Sequence, residues 1–468
     1  MKKNTYIGML LTALFSSQAA YASVDLIAIG SIDGSYEDFA LQTANPLENG
    51  VAGNLLGGLG SGLAYAGGNT FIAVPDRGPN AVSYNAAVDD TASYIPRFHT
   101  LHMTLAPAAA GSTLPYTLTP MLTGTTLLSS KTPLVYGSGA VAGLGDGAPT
   151  LNRKHTFYFS GRSDNFDPMQ ISTNPNNARL DPESVRVSRD GESVFISDEY
   201  GPYIYQFDRA SGSRIKAIAL PSKFAITHSS SVGSTEVSGN TVGRVANKGM
   251  EGLAISPDGK TLFGAMQSPL IQDGGVDAPY TRIIKIDIAS GATQEFAYAL
   301  SNIGTASKPK YPTVSDIIAI NDHEFLVDER DGKGRGDGST AVVKKIYKID
   351  IGGAQDVSAL TGASNLASKA VAKTLFLDVV AAMNAHAIAS TDIPAKLEGL
   401  AFGPDVMISG TSKHTLFIAN DNDFTATAGS IPNPNNFIVF AFDSADLPGL
   451  VPQKMRLSEE SEEHKDRD

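Results

Sequence analysis

Three glutamates, Glu183, Glu251 and Glu398, each open a short apolar run: "ESVRVS", "EGLAIS" and "EGLAFG". Acids also close nearby apolar runs: Asp198-Glu199 in "VFISDEY", Asp328-Glu329 in "FLVDERD", Asp421 and Asp423 in "LFIANDND", and Asp76 in "FIAVPDR". If the fold gathers these carboxylates, they tolerate one another only when protonated, paired with arginine or bridged by a cation. An oxygen-only donor set suits Ca²⁺ first, then Mg²⁺ or Mn²⁺. Glu183, Glu251, Glu398, Asp421 and Asp423 are the candidate ligands. Asp198, Glu199 and Glu329 are the candidates for proton transfer. Arg77 and Arg330, with Arg186 nearby, are the cations that could grip a phosphate or carboxylate in a forked contact. A single acid at a strand end is most simply a solvated loop residue or a turn cap. Three in the same register need a common cause.

The elements that must position them repeat along the chain. "GMEGLAISPDGKTLFGAMQ", from Gly249, matches "DPESVRVSRDGESVFISDEY", from Asp181, almost position for position. Further copies begin near Lys396, Val314 and Gly60, where Ser315 and Ser61 take the glutamate's place. Each reads as a strand, a tight turn and a second strand, with Asp-Gly or Gly-Gly supplying the turn. Third strands follow, such as "YIYQFDRASG" and "TRIIKIDIASG", then fourth strands such as "RIKAIAL" and "TQEFAYAL". Units of four antiparallel strands, repeated, make an all-β single β-propeller. In that fold the first strand of each unit lines the central channel. Its start and the end of the second strand share one face, so the acids meet at one channel mouth.

Spacing sets the blade count. The unit starts are 68, 64 and 83 residues apart from Glu183 onward, but 122 separate Ser61 from Glu183. That gap has room for a divergent blade around "HTFYFSGRS", which makes six blades the expectation, with five to seven compatible. "VDLIAIGSI" lacks a partner of its own and is expected to close the ring beside "NNFIVFAF". The run "SKAVAKTLFLDVVAAM" is the best helical candidate, as an insertion.

Residues 1–22 read as a secretory signal: a Lys2-Lys3 start, an apolar run from Ile7 to Phe15, and a small-residue cleavage site near Ala22-Ser23. That run is too short to cross roughly 30 Å of hydrocarbon, and no later stretch spans a membrane. Residues 23–450 form the propeller domain. Residues 451–468 form a charged tail expected to be disordered. The destination is the periplasm or the exterior, and the chain is expected to be a monomer. The absence of Cys removes thiol nucleophiles and thiolate sites. A net charge of −12 argues against nucleic acid as partner. There is no G-x-S-x-G elbow and no H-E-x-x-H pair. "GNLLGGLGSG" lacks the Lys and helix of a phosphate loop, and "DNDF" lacks the rest of an EF-hand.

"NKGMEGLAISPDGKTL", "FLVDERDG", "IYKIDIGGAQDV" and "KLEGLAFGPD…LFIANDNDF" together resemble the phytase-like family, also called the esterase-like activity of phytase family, of secreted bacterial β-propellers. "DPESVRVSRDGESVFISDEYGPYIYQFD" is similar to its "D-x-E-G-[IL]…[SD]-E-Y-G-P" segment, with Ser184 where the family has Gly. The resemblance runs from Gly60 to Asp443. It implies phosphoester or ester hydrolysis of a small molecule, with Glu183, Asp198, Glu199, Glu251, Glu329, Glu398, Asp421 and Asp423 as the acids in matching segments. Metal-assisted hydrolysis with Ca²⁺ is the first expectation. A non-enzymatic binding module with a structural metal, and a lactonase that needs no arginine clamp, are the alternatives.

Overall fold

Each repeat folds as a hairpin because its apolar runs are long enough for one strand and its turns demand a positive φ. Gly191 and Gly259 supply it, at +78° and +74°. The computed structural model describes residues 24–79, 85–88, 91–137, 145–453 and 455. The leader and most of the charged tail lie outside the described residues.

The described residues form five antiparallel blades of four strands each, the fifth with a short extra strand, Val406–Ile408, on its second strand. Blade one is Gly62–Tyr65, Thr70–Val74, Arg97–Pro107 and Tyr116–Leu127. Blade two is Pro182–Val187, Ser193–Asp198, Tyr203–Asp208 and Arg214–Ala219. Blade three is Met250–Ile255, Thr261–Met266, Tyr280–Asp287 and Thr293–Ala299. Blade four is Thr313–Ala319, Glu324–Arg330, Lys344–Asp350 and Lys373–Asp378. Blade five is Lys396–Phe402, Thr411–Asp421 and Asn435–Phe442, completed by the N-terminal strand Asp25–Ile32. That strand pairs antiparallel with Asn435–Phe442, closing the ring as expected.

The blade count departs from six. After blade one, the described residues of the long gap before Glu183 form no further blade, only a two-residue pairing of Ser129–Ser130 with Phe157–Tyr158 and isolated bridges such as Ser160 to Arg179. Part of that chain packs against the channel mouth. Gly161, for instance, lies so close to Arg77 that an added Cβ would sit 1.7 Å from its carbonyl oxygen. The helical candidate is only partly helical. Lys373–Asp378 is the outer strand of blade four, and the helix is only Val379–Ala385, started by the Asp378 side chain accepting from the Ala381 N–H. Packing against the blade overrides local helical preference. Val451 donates to the Ile320 carbonyl and Gln453 to that of Val187, so the chain still runs against the blades just after residue 450.

One apolar cluster fills each seam between adjacent blades. Phe71 and Phe417 join blades one and five, with ring centroids 4.7 Å apart; Phe263 and Phe325 join blades three and four at 4.5 Å. The channel itself is plugged by a buried ion pair. Asp316 of blade four accepts from Arg186 and Ser184 of blade two, from the Leu253 N–H of blade three and from the Leu400 N–H of blade five. Arg186 donates to the Leu63 carbonyl of blade one and the Ile317 carbonyl of blade four. The pair therefore touches all five inner strands. Ser184, the one departure from the family segment, supplies a hydroxyl to it.

His99 is wholly buried in blade one, with Nδ1 3.1 Å from Thr125 Oγ1 and Nε2 unpartnered. Burial, then Arg97, holds its pKa well below the ordinary value. The native state keeps it neutral while the unfolded chain protonates near pH 6.5. Its contribution is intact above that pH and is lost as pH falls toward the native pKa. Below pH 6.5 the expected slope from this group approaches about 1.4 kcal/mol per pH unit. Urea titrations from pH 7.5 to 5 should show a shallower acid loss in His99→Phe than in the natural chain. Parallel curves would refute this.

Candidate functional site

The register of the inner strands explains the acidic starts. In four blades the pairing slips at the strand's head: between Pro182 and Val185, Met250 and Gly252, Val314 and Ile317, and Leu397 and Leu400. A bulge there takes one residue out of the ladder and re-aims its side chain. The slips fall at Glu183, Glu251, Ser315-Asp316 and Glu398. Three glutamates thereby reach the channel mouth, and in blade four Asp316 goes instead to the plug.

The mouth is a continuous electrostatic ring of buried groups. Burial, then the charges of Glu251, Asp181, Glu199 and Asp76, push Glu183 far above the ordinary carboxylate range. Glu251 is pushed up by burial, then by Glu199 and Glu398. Asp76 is raised by burial and by Asp421. Glu199 rises to about 7, by burial and then Asp181, and its Oε1 accepts the Gly249 N–H at 3.0 Å. Gly249 must be glycine here, since a Cβ would lie 2.5 Å from the Glu199 carbonyl oxygen.

The ring is not uniform. Two residues before the strand-head glutamate stands Asp181 in blade two but Lys396 in blade five. Lys396 ion-pairs with both Asp421 and Asp423. Arg330 pairs with Glu398 and stands 3.9 Å from Glu251. Blade five is thus largely neutralised. Blade two is the acidic pole, where Asp181, Glu183 and Glu199 each bring a carboxylate oxygen within 4.8 Å of the others. Arg77 Nη1 and its N–H bind Asp181 at 2.9 Å each. Glu183 makes no hydrogen bond or ion pair among the described residues. Glu251 Oε2 is buried without a partner.

Several expected residues lie elsewhere. Asp198, the last residue of its strand, lies outside the carboxylate cluster that holds its neighbour Glu199. It accepts the N–H groups of Asp181 (3.2 Å) and Tyr200 (3.0 Å) and shapes the turn. Burial raises its pKa to about 8. Glu329 lies between blades, holding the Tyr298 hydroxyl at 2.7 Å and the Lys373 ammonium. Arg186 is in the plug. Arg77 and Arg330 are at the mouth, though each is tied to a carboxylate. Sequence reasoning passed over Asp181 and Lys396. Both sit two residues before a glutamate already singled out, and that offset was the available signal.

No helix among the described residues is long and apolar enough to cross a membrane. Over 135 residues the chain is 36% identical to an uncharacterized secreted protein of Arthroderma benhamiae, a match spanning 25% of this chain and 26% of that protein. Among solved structures it is similar to a periplasmic gluconolactonase of Pseudomonas aeruginosa, at 10% identity and TM-score 0.31 over 81% of this chain and 88% of the other. It is also similar to a Bacteroides thetaiotaomicron protein of unknown function, at 10% identity and TM-score 0.31 over 89% and 75%. The ring of buried acids on inner-strand bulges falls within residues 54–424, which match the family described as phytase-like, "Esterase-like activity of phytase", and the chain belongs to that family.

Proposed function

We propose that this protein is a hydrolase of small phosphate or carboxylic esters, working at the acidic channel mouth with a divalent cation, for which Ca²⁺ fits best. One observation carries the reading: Asp181, Glu183 and Glu199 converge, buried, with oxygens within 4.8 Å, and among the described residues only Asp181 of the three has an ion pair, with Arg77. Two oxygens that share a Ca²⁺ at 2.3–2.6 Å can be at most about 5 Å apart, so the spacing suits one ion. All the donors are carboxylate oxygens, as a hard cation prefers. The fit moves the expected ligand set from Glu183, Glu251, Glu398, Asp421 and Asp423 to the blade-two pole, which keeps only Glu183 of the five. Asp421, Asp423 and Glu398 are held by lysine and arginine instead.

Such a cation, when bound, supplies polarisation of a phosphoryl or carbonyl oxygen. The remaining work falls to side chains. Glu251 keeps Oε2 free of hydrogen bonds and can take a proton from water or return one to a leaving oxygen. Arg330 holds Glu398 and biases Glu251 electrostatically. Gly249 fixes Glu199. The leader-like N-terminus and the secreted fungal relative both favour a site of action outside the cytoplasm.

The test is turnover by the purified mature protein on a phosphomonoester, a phosphodiester, a carboxyl ester and a lactone, with Ca²⁺ and with chelator. Ester turnover that chelation lowers by at least about a hundredfold is expected. No turnover on any of the four sinks the proposal. Turnover of the lactone alone would replace the ester reading with the lactonase one.

A further inference from the structure

Next to the acidic pole lies a small cavity of about 30 Å³, whose charged lining is Arg77, Arg179, Arg244 and Glu236, with Tyr200 beside them and small or polar residues completing it. Its arginines are at most 9% exposed and Glu236 is 3% exposed. Arg244 Nη2 binds Glu236 Oε1 at 2.6 Å, and Arg179 Nη1 reaches Oε2 at 3.4 Å. Burial opposes the Glu236 carboxylate, but Arg244 and Arg179 outweigh it and hold its pKa below the ordinary value. One carboxylate is therefore shared by two buried guanidinium groups, so Glu236 alone does not neutralise them, though the Glu199 and Asp198 charges also act on Arg244. The third, Arg77, is anchored to Asp181 through Nη1 while its Nε is buried without a partner.

The guanidinium groups are held in place. Arg179 stacks over the rings of Phe166 and Tyr200, at 4.7 and 5.2 Å to the centroids. Arg244 also donates twice to the Tyr200 carbonyl, at 3.1 and 3.0 Å. A buried donor left unmade is costly, and fixed guanidinium forks match oxyanions. At roughly 10–15 Å³ of such space per water, the cavity takes two or three waters. That is room for a compact headgroup and not for a whole sugar. Of the three guanidinium groups, only that of Arg77 has a buried donor without a partner, its Nε. The outer contacts of the others are long, Arg179 to Ser229 Oγ at 3.4 Å and Arg244 Nη1 to the Val245 carbonyl at 3.5 Å, so a head with three free oxygens could draw on all three groups where a carboxylate with two could not.

We propose that this cavity is an anion subsite that holds a phosphate group of the substrate, with Arg77 as the wall shared between it and the carboxylate cluster. The assignment rests on the hydrolase reading for its role in the reaction, but the affinity for phosphate stands apart from it. It makes the preferred substrate a phosphate-bearing small molecule and gives Arg179 and Arg244 a part in selecting it.

The experiment is calorimetric and thermal titration of the mature protein with inorganic phosphate, in chelator at low salt, against acetate at matched ionic strength. Phosphate should bind and raise the Tm, and acetate should bind at least about tenfold more weakly. Arg179→Lys, which keeps charge and bulk, should weaken phosphate at least about tenfold, because the planar fork is lost. Glu183→Gln should leave phosphate binding intact. The subsite is overturned by no phosphate binding, by equal binding of acetate, by an unchanged Arg179→Lys, or by loss of binding in Glu183→Gln. If Arg179→Lys fails to fold, the natural chain and Glu183→Gln still decide. Phosphate binding without ester turnover would sink the hydrolase reading and keep the subsite; the converse would do the reverse.

Discussion

Asp316→Ala is expected to lower the unfolding free energy by about 3–5 kcal/mol, the usual cost of breaking a buried ion pair from one side. The substitution leaves Arg186 charged in the channel and strips hydrogen bonds from the Leu253 and Leu400 N–H groups and the Ser184 hydroxyl. Those donors belong to blades two, three and five, so the loss falls on the ring's closure and not on one sheet. Arg186→Met should cost a comparable amount, because Asp316 is then the orphan. The double variant, Asp316→Leu with Arg186→Met, should recover much of the sum, since an apolar plug leaves no charge in the channel. Denaturant unfolding of all three variants measures this. Single variants within about 1 kcal/mol of the natural chain would show that the pair is not what ties the inner strands.

This plug also marks where the sequence stops being legible. The blades could be read from their turns and alternating apolar runs, because those are local signals. The closing strand "VDLIAIGSI" could be read because it had no neighbour to pair with. The blade count could not, since length alone does not say whether chain between Leu127 and Asp181 pairs into a sheet or folds over the mouth. Asp316 looked like an ordinary residue beside Ser315. Only the bulge, a relation between two strands, sends it inward while Glu251 goes to the mouth. For the same reason Asp198 and Glu199 looked equivalent, and Glu329 looked like a mouth residue before its neighbours Tyr298 and Lys373 were known. Residue type and spacing located the acidic ring; charge pairing across blades decided which part of it is left unbalanced.

That imbalance gives the second prediction a sign that simple solvated acids would not produce. Glu183→Gln should be more stable than the natural chain in chelator and less stable in saturating Ca²⁺. Without a cation, burial and then the charges of Glu251, Asp181 and Glu199 oppose ionisation of Glu183, so at neutral pH the native state must keep a proton there that the unfolded chain releases, and glutamine lifts that cost. With a cation, the natural chain gains by linkage about 2.7 kcal/mol at a Ca²⁺ concentration one hundred times the Kd. The variant has lost a ligand and should gain little. The two melting curves should therefore cross between chelator and Ca²⁺, and ester turnover in Glu183→Gln should fall by about a hundredfold or more. Asp423→Asn, at the lysine-neutralised end of the ring, should show no such crossing, because Lys396 rather than a cation balances that charge. Identical melts of the natural chain with and without Ca²⁺ would mean that protons alone keep the blade-two acids apart, and the cation-dependent reading of the mouth would fail with them.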